Sequence, residues 1–304
     1  MKIIYAGSPE YAVAPLRALI EAGCGVAAVL TQPDKPVGRK RVLTPTPVKS
    51  AAMGYGLPVF DFARVKEHVA ELKAVGADLM ITCAYGQLLT AEILNAFPMG
   101  VYNLHASLLP AFRGASPIQS AILSGCERTG VTVMKTELAL DCGGVLLVKE
   151  CSAAGKTCGE LSDELSLLSA SAAVEAVRML SKGEPALVPQ NDALATFCKK
   201  ISKEDARVNF ADTAKNTANL INAMSPSPAA FAYLLGGAVN LLKAEPCGGA
   251  GECGEVLSAD KRGIVIACSD GAVRVTKLQF AGGKPLSASD AVNGRKVKAG
   301  DKLD

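Results

Sequence analysis

The sequence predicts a doubly wound α/β domain with a mostly parallel sheet, followed by a small C-terminal β-barrel. Three observations predict it. Short apolar runs alternate with helix-length stretches as far as about residue 182, as expected of strands buried on both faces and joined by helical crossovers. The period is then lost around Pro185 and Pro189, as in a linker. Beyond it, short strand-like runs are punctuated by glycine, the pattern of a small barrel such as an OB-fold, or of a small β-sandwich.

The elements follow in order. Residues 3–6, 26–31, 79–84 and 100–104 are the apolar runs, read as parallel strands. Residues 12–22 and 66–75 carry helical spacing between them, and a long helix over 158–182 closes the first domain. Residues 205–223 are expected to hold a helix, and 230–243, 255–258, 263–267 and 272–280 to be strands. The opening Ala6-Gly7-Ser8-Pro9-Glu10 lacks the GxGxxG spacing, which argues against a nicotinamide dinucleotide site.

At 304 residues the chain suits two domains. Hydrophobic residues make up 49% and charged residues 20%, so a sizeable core is available. The net charge of +3 is small, and any polyanion contact must come from local patches. No apolar run reaches the ~18 residues of a membrane span, and no signal peptide or membrane association is expected. Ten cysteines show no CxxC spacing and have no histidine partners nearby. They are expected to be reduced thiols of a cytoplasmic protein, with no metal site.

The chemistry centres on His105, one of two histidines in the chain, in Asn103-Leu104-His105-Ala106-Ser107-Leu108-Leu109-Pro110. Strand alternation turns Asn103 and His105 to the same side. Downstream, Asp141 lies in Asp141-Cys142-Gly143-Gly144 between two apolar runs. An amide donor, an imidazole and an orienting carboxylate make an acyl-transfer set. The other histidine, His68, is expected on a helix surface without a chemical role.

Residues 33–49 hold Arg39, Lys40 and Arg41 in succession, flanked by Lys35 and Lys49 and opposed only by Asp34. Four prolines and a glycine are expected to keep this stretch out of helices and strands, as a projecting loop longer than an ordinary connection. Phosphate contact is the natural use of such a loop. Lys199, Lys200 and Lys203 form a second basic cluster, and Arg295, Lys296 and Lys298 a third.

The segment from Asn103 to Pro110, followed by Arg113-Gly114-Ala115-Ser116-Pro117, resembles the signature of the folate-dependent formyltransferases. The Arg-Gly-x-x-Pro version resembles the branch that acts on methionyl-tRNA. Further segments match in order: Ala6 to Glu10, Gln32-Pro33-Asp34-Lys35-Pro36, Pro45-Thr46-Pro47-Val48-Lys49, Ala84-Tyr85-Gly86, Leu140 to Gly144, and Lys200-Ile201-Ser202-Lys203-Glu204. Two departures stand out. Ser225-Pro226-Ser227-Pro228 replaces an Asn-Pro-Trp-Pro-like segment in a chain without tryptophan, and Lys40 stands where glycine is usual.

The resemblance implies a Rossmann-like, folate-binding catalytic domain over 1–183, a linker over 184–204 and an OB-like, tRNA-contacting domain over 205–304. It implies transfer of a formyl group from 10-formyltetrahydrofolate to the α-amine of methionine on initiator tRNA. Asn103, His105 and Asp141 would then be catalytic, with Asp141 either holding His105 in its donor form or taking the proton through a water. Ser107, Leu108, Leu109 and Pro110, together with Tyr85 and Gly86, would contact folate. Arg39, Lys40, Arg41, Lys199, Lys200 and Lys203 would contact tRNA. No metal and no obligate protein partner are expected. A relative formylating a small amine, a ribonucleotide or an amino-sugar nucleotide, would share the three catalytic residues without needing the basic loop and the barrel.

Overall fold

A computed structural model describes residues 1–38 and 40–304. The chain forms two compact units: Met1–Pro117, Thr129–Cys151 and Ser162–Cys198 in one, and Ile118–Arg128, Ser152–Leu161 and Lys199–Asp304 in the other. In chain order the elements begin with β1 (Ile3–Gly7), α1 (Val13–Glu21), β2 (Val26–Leu30), β3 (Lys35–Val37) and β4 (Val42–Thr44). Next come α2 (Pro47–Gly54), β5 (Val59–Phe60), α3 (Val69–Ala74), β6 (Leu79–Cys83), α4 (Ala91–Leu94) and β7 (Val101–His105). β8 (Arg113–Gly114), α5 (Pro117–Leu123), β9 (Arg128–Lys135), β10 (Val145–Ser152), α6 (Cys158–Leu180) and β11 (Phe197–Cys198) follow.

Seven strands make one sheet in the order β10-β9-β7-β6-β1-β2-β5. The pairs β1–β2, β1–β6, β2–β5 and β6–β7 are parallel, while β9 runs antiparallel to β7. β1 and β6 are buried at every position, which is why both appear in the sequence as unbroken apolar runs. From β1 the chain winds outward to β2 and β5, then returns to β6 and β7 on the other side. That reversal leaves a crevice at the carboxyl ends of β1 and β6. Gly7 sits there for space: a Cβ would come 2.9 Å from both the Cys83 carbonyl oxygen and the Ala12 Cβ.

Three expectations in this unit are corrected. The helix expected over 66–75 is a 3-10 turn at Val65–Glu67 and then α3. His68 breaks it with φ −127° and ψ 34°, its ring stacked on Phe62 at 3.9 Å and its Nδ1 2.8 Å from a Glu71 carboxylate oxygen. The basic stretch is not bare loop, because β3 and β4 pair as an antiparallel ribbon. Pro36 is tolerated in a strand with one partner, and Pro47 starts α2 behind a Thr46 cap. Residues 184–198 run along this unit: Val188 exchanges two backbone hydrogen bonds with Val145, and β11 pairs parallel with β8. Two-residue pairings leave no period for a sequence to display.

The second unit holds α7 (Ala214–Ala223), β12 (Ala230–Leu234), β13 (Gly237–Cys247), β14 (Val256–Asp260), β15 (Gly263–Ala267), β16 (Ala272–Phe280), β17 (Leu286–Ser287) and α8 (Ala288–Asn293). Its strands are antiparallel in the order β12-β13-β16-β15-β14, with β17 on β16. Leu303 bridges to Leu234, and Lys302 to Glu255, so the C-terminal tail closes the gap between β12 and β14 in barrel fashion. The single strand expected over 230–243 is a hairpin. Its turn, Leu235-Gly236, has φ of +51° and +77°. The helix expected over 205–223 begins only at Ala214, behind a Thr213 cap. Asn222 is buried and binds both the N–H and the carbonyl of Ala244, where the register of β13 shifts. The Ser225-Pro226-Ser227-Pro228 departure is accommodated: the Ser225 carbonyl accepts from Gly159 N–H at 2.9 Å, and Pro226 packs on Gly159 without tryptophan.

Candidate active site

β7 lies between β6 and β9 and ends at His105, so its last residues emerge at the carboxyl edge of the sheet. Asn103 is half-buried there, and its side-chain oxygen accepts from the Thr82 hydroxyl at 2.9 Å. With that oxygen committed, the amide nitrogen is the end left to donate. His105 is 5% exposed. Its Nε2 lies 2.9 Å from the Phe112 carbonyl, which can only accept, so Nε2 carries the proton and Nδ1 the lone pair. Burial pushes the imidazole below its ordinary value, against the opposing pull of the Asp141 carboxylate and the Phe112 carbonyl.

Asp141 faces that lone pair. Its carboxylate oxygen is 3.5 Å from His105 Nδ1 and accepts the Gly114 N–H at 2.8 Å. Of the two acceptors flanking the ring, the Phe112 carbonyl is the closer and fixes the tautomer with Nε2 protonated. Asp141 instead stands where a proton arriving at Nδ1 would be stabilised. The glycines beside it are spatial requirements. A Cβ on Gly143 would overlap the Lys135 carbonyl oxygen, and one on Gly144 would lie 2.8 Å from the Leu187 Cβ.

Ala84, Phe112 and Asp141 have φ of +48°, +59° and +49°. Such left-handed backbone costs on the order of 1–2 kcal/mol per residue, and these three of the seven such non-glycine positions among the described residues lie in the segments around this site. At the crevice, Ser8 and Gln32 both donate to the Tyr85 carbonyl, tying the ends of β1, β2 and β6 together. Tyr85 turns its ring into the core, whereas the neighbouring Ala84 and Gly86 are exposed. Ser107 is fully buried and donates to the Ala111 carbonyl at 2.6 Å, so its side chain holds the turn. Leu108, Leu109 and Pro110 are half-buried. Thr132 supports them by donating to the Ser107 carbonyl and accepting from Leu109 N–H.

A further polar group beside the site carries little signal in the sequence. Arg113, 4% exposed, gives its guanidinium to the Gln190 side-chain oxygen and to Asp192. Thr196 accepts the Phe112 N–H through its hydroxyl and the Arg113 N–H through its carbonyl. The Arg-Gly pair was visible as a motif, but nothing in the sequence distinguishes its partners from linker.

The basic residues are distributed as follows. Arg39 lies outside the described residues. Lys40 and Arg41 are exposed beside the β3–β4 ribbon, in the first unit. Lys49 is committed to Asp34 and Asp61, each at 2.7 Å. Lys199, Lys200 and Lys203 are exposed in the second unit, Lys199 3.3 Å from Asp205.

A buried imidazole facing a carboxylate, beside an amide at the end of parallel strands, is a set suited to acyl transfer. The model of the formyl transferase family matches residues 1–177, and that of the formyl transferase C-terminal domain matches 200–296. A methionyl-tRNA formyltransferase of Chromobacterium violaceum is 42% identical over 100% of this chain and 99% of its own. Among solved structures, WlaRD, a sugar 3N-formyl transferase, aligns with a TM-score of 0.67 at 16% identity over 93% of this chain and 98% of its own. The methionyl-tRNA formyltransferase from Clostridium thermocellum aligns with a TM-score of 0.56 at 15% identity over 81% of this chain and 93% of its own. These two share the fold. The chain belongs to the formyl transferase family, among the methionyl-tRNA formyltransferases, and is a formyl-transferring enzyme. Among the described residues no helix is long and apolar enough to cross a membrane.

Proposed function

We propose that this chain transfers the formyl group of 10-formyltetrahydrofolate to the α-amine of methionine on initiator tRNA, in the cytoplasm, for translation initiation. One observation carries the reading: Asn103 and His105 leave the sheet together, and Asp141 stands 3.5 Å from the imidazole Nδ1. The folate would lie along the exposed backbone of Ala84 and Gly86 and the half-buried Leu108, Leu109 and Pro110. When bound, it supplies a formyl group activated on nitrogen.

The amine needs little help to attack, since an α-amino group titrates at about 7.7–8.0 and is partly neutral at physiological pH. Asn103 donates to the formyl oxygen as negative charge gathers there; losing one such donor costs roughly 3 kcal/mol of barrier. His105, held neutral by burial, accepts the amine's proton at Nδ1 while its Nε2–H stays on the Phe112 carbonyl. Asp141 stabilises the imidazolium, which then returns the proton to the departing nitrogen. Arg39, Lys40 and Arg41 grip the acceptor end of the tRNA, and Lys199, Lys200 and Lys203 meet its backbone further on. The chemistry thus belongs to the first unit, which runs to Cys198, and Lys199, Lys200 and Lys203 of the second unit add tRNA contact.

The test is a formyl-transfer assay with 10-formyltetrahydrofolate and three acceptors: methionylated initiator tRNA, methionylated elongator tRNA and free methionine. Transfer to the initiator alone supports the reading. Transfer to amino-sugar nucleotides or glycinamide ribonucleotide with none to tRNA would replace it with the small-amine activity.

A further inference from the structure

The geometry points to Gln190 as a positioning residue that holds Asp141 against His105, which makes the stretch between the two family-matched segments part of the active site. The inference rests on the catalytic reading of Asp141 above. The Gln190 side chain uses both ends of its amide within the first unit. Its oxygen accepts from Arg113 Nε at 3.1 Å and Nη2 at 2.8 Å. Its nitrogen donates to the carbonyls of Asp141 at 2.9 Å and Gly143 at 2.8 Å.

Arg113 is a firm anchor because its buried guanidinium is also paired with Asp192 at 2.7 Å. Asp141 needs an anchor, since its backbone is held at φ +49°, a conformation that an unrestrained residue leaves. Gly114 N–H fixes the carboxylate and Gln190 fixes the backbone that bears it. Only a carboxamide can do this: leucine has neither function, and glutamate keeps the Arg113 bonds while losing both donors.

The test compares full-length wild type, Gln190→Leu, Gln190→Glu, Asp141→Asn and the Gln190→Leu/Asp141→Asn double variant. Formyl transfer to methionyl-tRNA gives kcat and the KM for the formyl donor. The pH titration of the His105 ring protons by NMR reports the pull of the carboxylate on the imidazole, whatever the residual activity. Both Gln190 variants should lower kcat about tenfold or more with KM within about twofold, since small misplacements of reacting groups cost this much. Gln190→Leu should lower the His105 titration midpoint in the same direction as Asp141→Asn, and should add no shift in the Asp141→Asn background. Wild-type kcat and an unmoved midpoint in Gln190→Leu would overturn the inference. So would full activity in Gln190→Glu beside an impaired Gln190→Leu, because Arg113 pairing alone would then suffice. If Asp141→Asn itself changes neither rate nor midpoint, the catalytic reading fails instead; if it changes both and Gln190→Leu changes neither, only the inference fails.

Discussion

Asn103 is defined by which end of its amide is committed. Thr82 takes the oxygen, so Asn103→Asp would place a second acceptor where a donor is needed, facing developing negative charge. We expect kcat to fall by about 10²–10³ with the unfolding midpoint little changed; an unaltered rate would remove Asn103 from the oxyanion position. His105 gives a pH prediction. Burial lowers its protonation below the ordinary imidazole value of about 6.5, so its NMR titration should have a midpoint under that value. The sign for stability follows. As pH falls from 6.5 toward the lowered value, the unfolded chain takes up a proton that the folded chain refuses, so stability declines through that window. A midpoint above 6.5 would contradict both. The three residues proposed as catalytic were legible because two lie in one strand and the third in a compact Gly-flanked turn. Gln190 and Thr196 were not, because they act through bonds to residues 47 to 86 positions away.

Elements were legible where burial imposes a period. β15 and β16 were expected at the bounds observed, and β1 and β6 within a residue or so. The β12–β13 hairpin was missed for a specific reason. Its turn needs positive φ at both central residues, a geometry that favours Asn-Gly, yet the first position is Leu235, 86% exposed. That misfit yields a prediction: Leu235→Asn should stabilise the chain by roughly 0.5–1 kcal/mol, since the side chain buries nothing and the backbone strain is relieved. A urea midpoint that falls or stays would refute it. Gly143→Ala should act oppositely. Its Cβ would overlap the Lys135 carbonyl, and we expect a loss of about 2–3 kcal/mol together with lower kcat as the Asp141 turn shifts. Equal thermal stability would contradict this. The β3–β4 ribbon escaped notice because prolines read as breakers, though a two-stranded ribbon tolerates them.

For the whole molecule, chain length and the alternation of apolar runs pointed to two domains and their fold classes, but the boundary was harder to see. Residues 184–198 carry no period, yet they join the first unit through β11 and the Val188 bridge. The small net charge also conceals how the cations are used, since Lys49 is spent on two aspartates while Lys40 and Arg41 stand exposed. If the ribbon grips tRNA, replacing Lys40 and Arg41 by alanine should lower kcat/KM for methionyl-tRNA and reduce the salt dependence of binding by about one to two counterions. An unchanged slope and rate would leave the ribbon as solvated surface. The most direct measurement is the single-turnover rate of formyl transfer to methionylated initiator tRNA by wild type, His105→Ala and Asp141→Ala, with folding checked by circular dichroism. The proposed chemistry requires rapid formylation by wild type and a loss of about 10² or more in each folded variant. Formylation at the wild-type rate by either variant would contradict it.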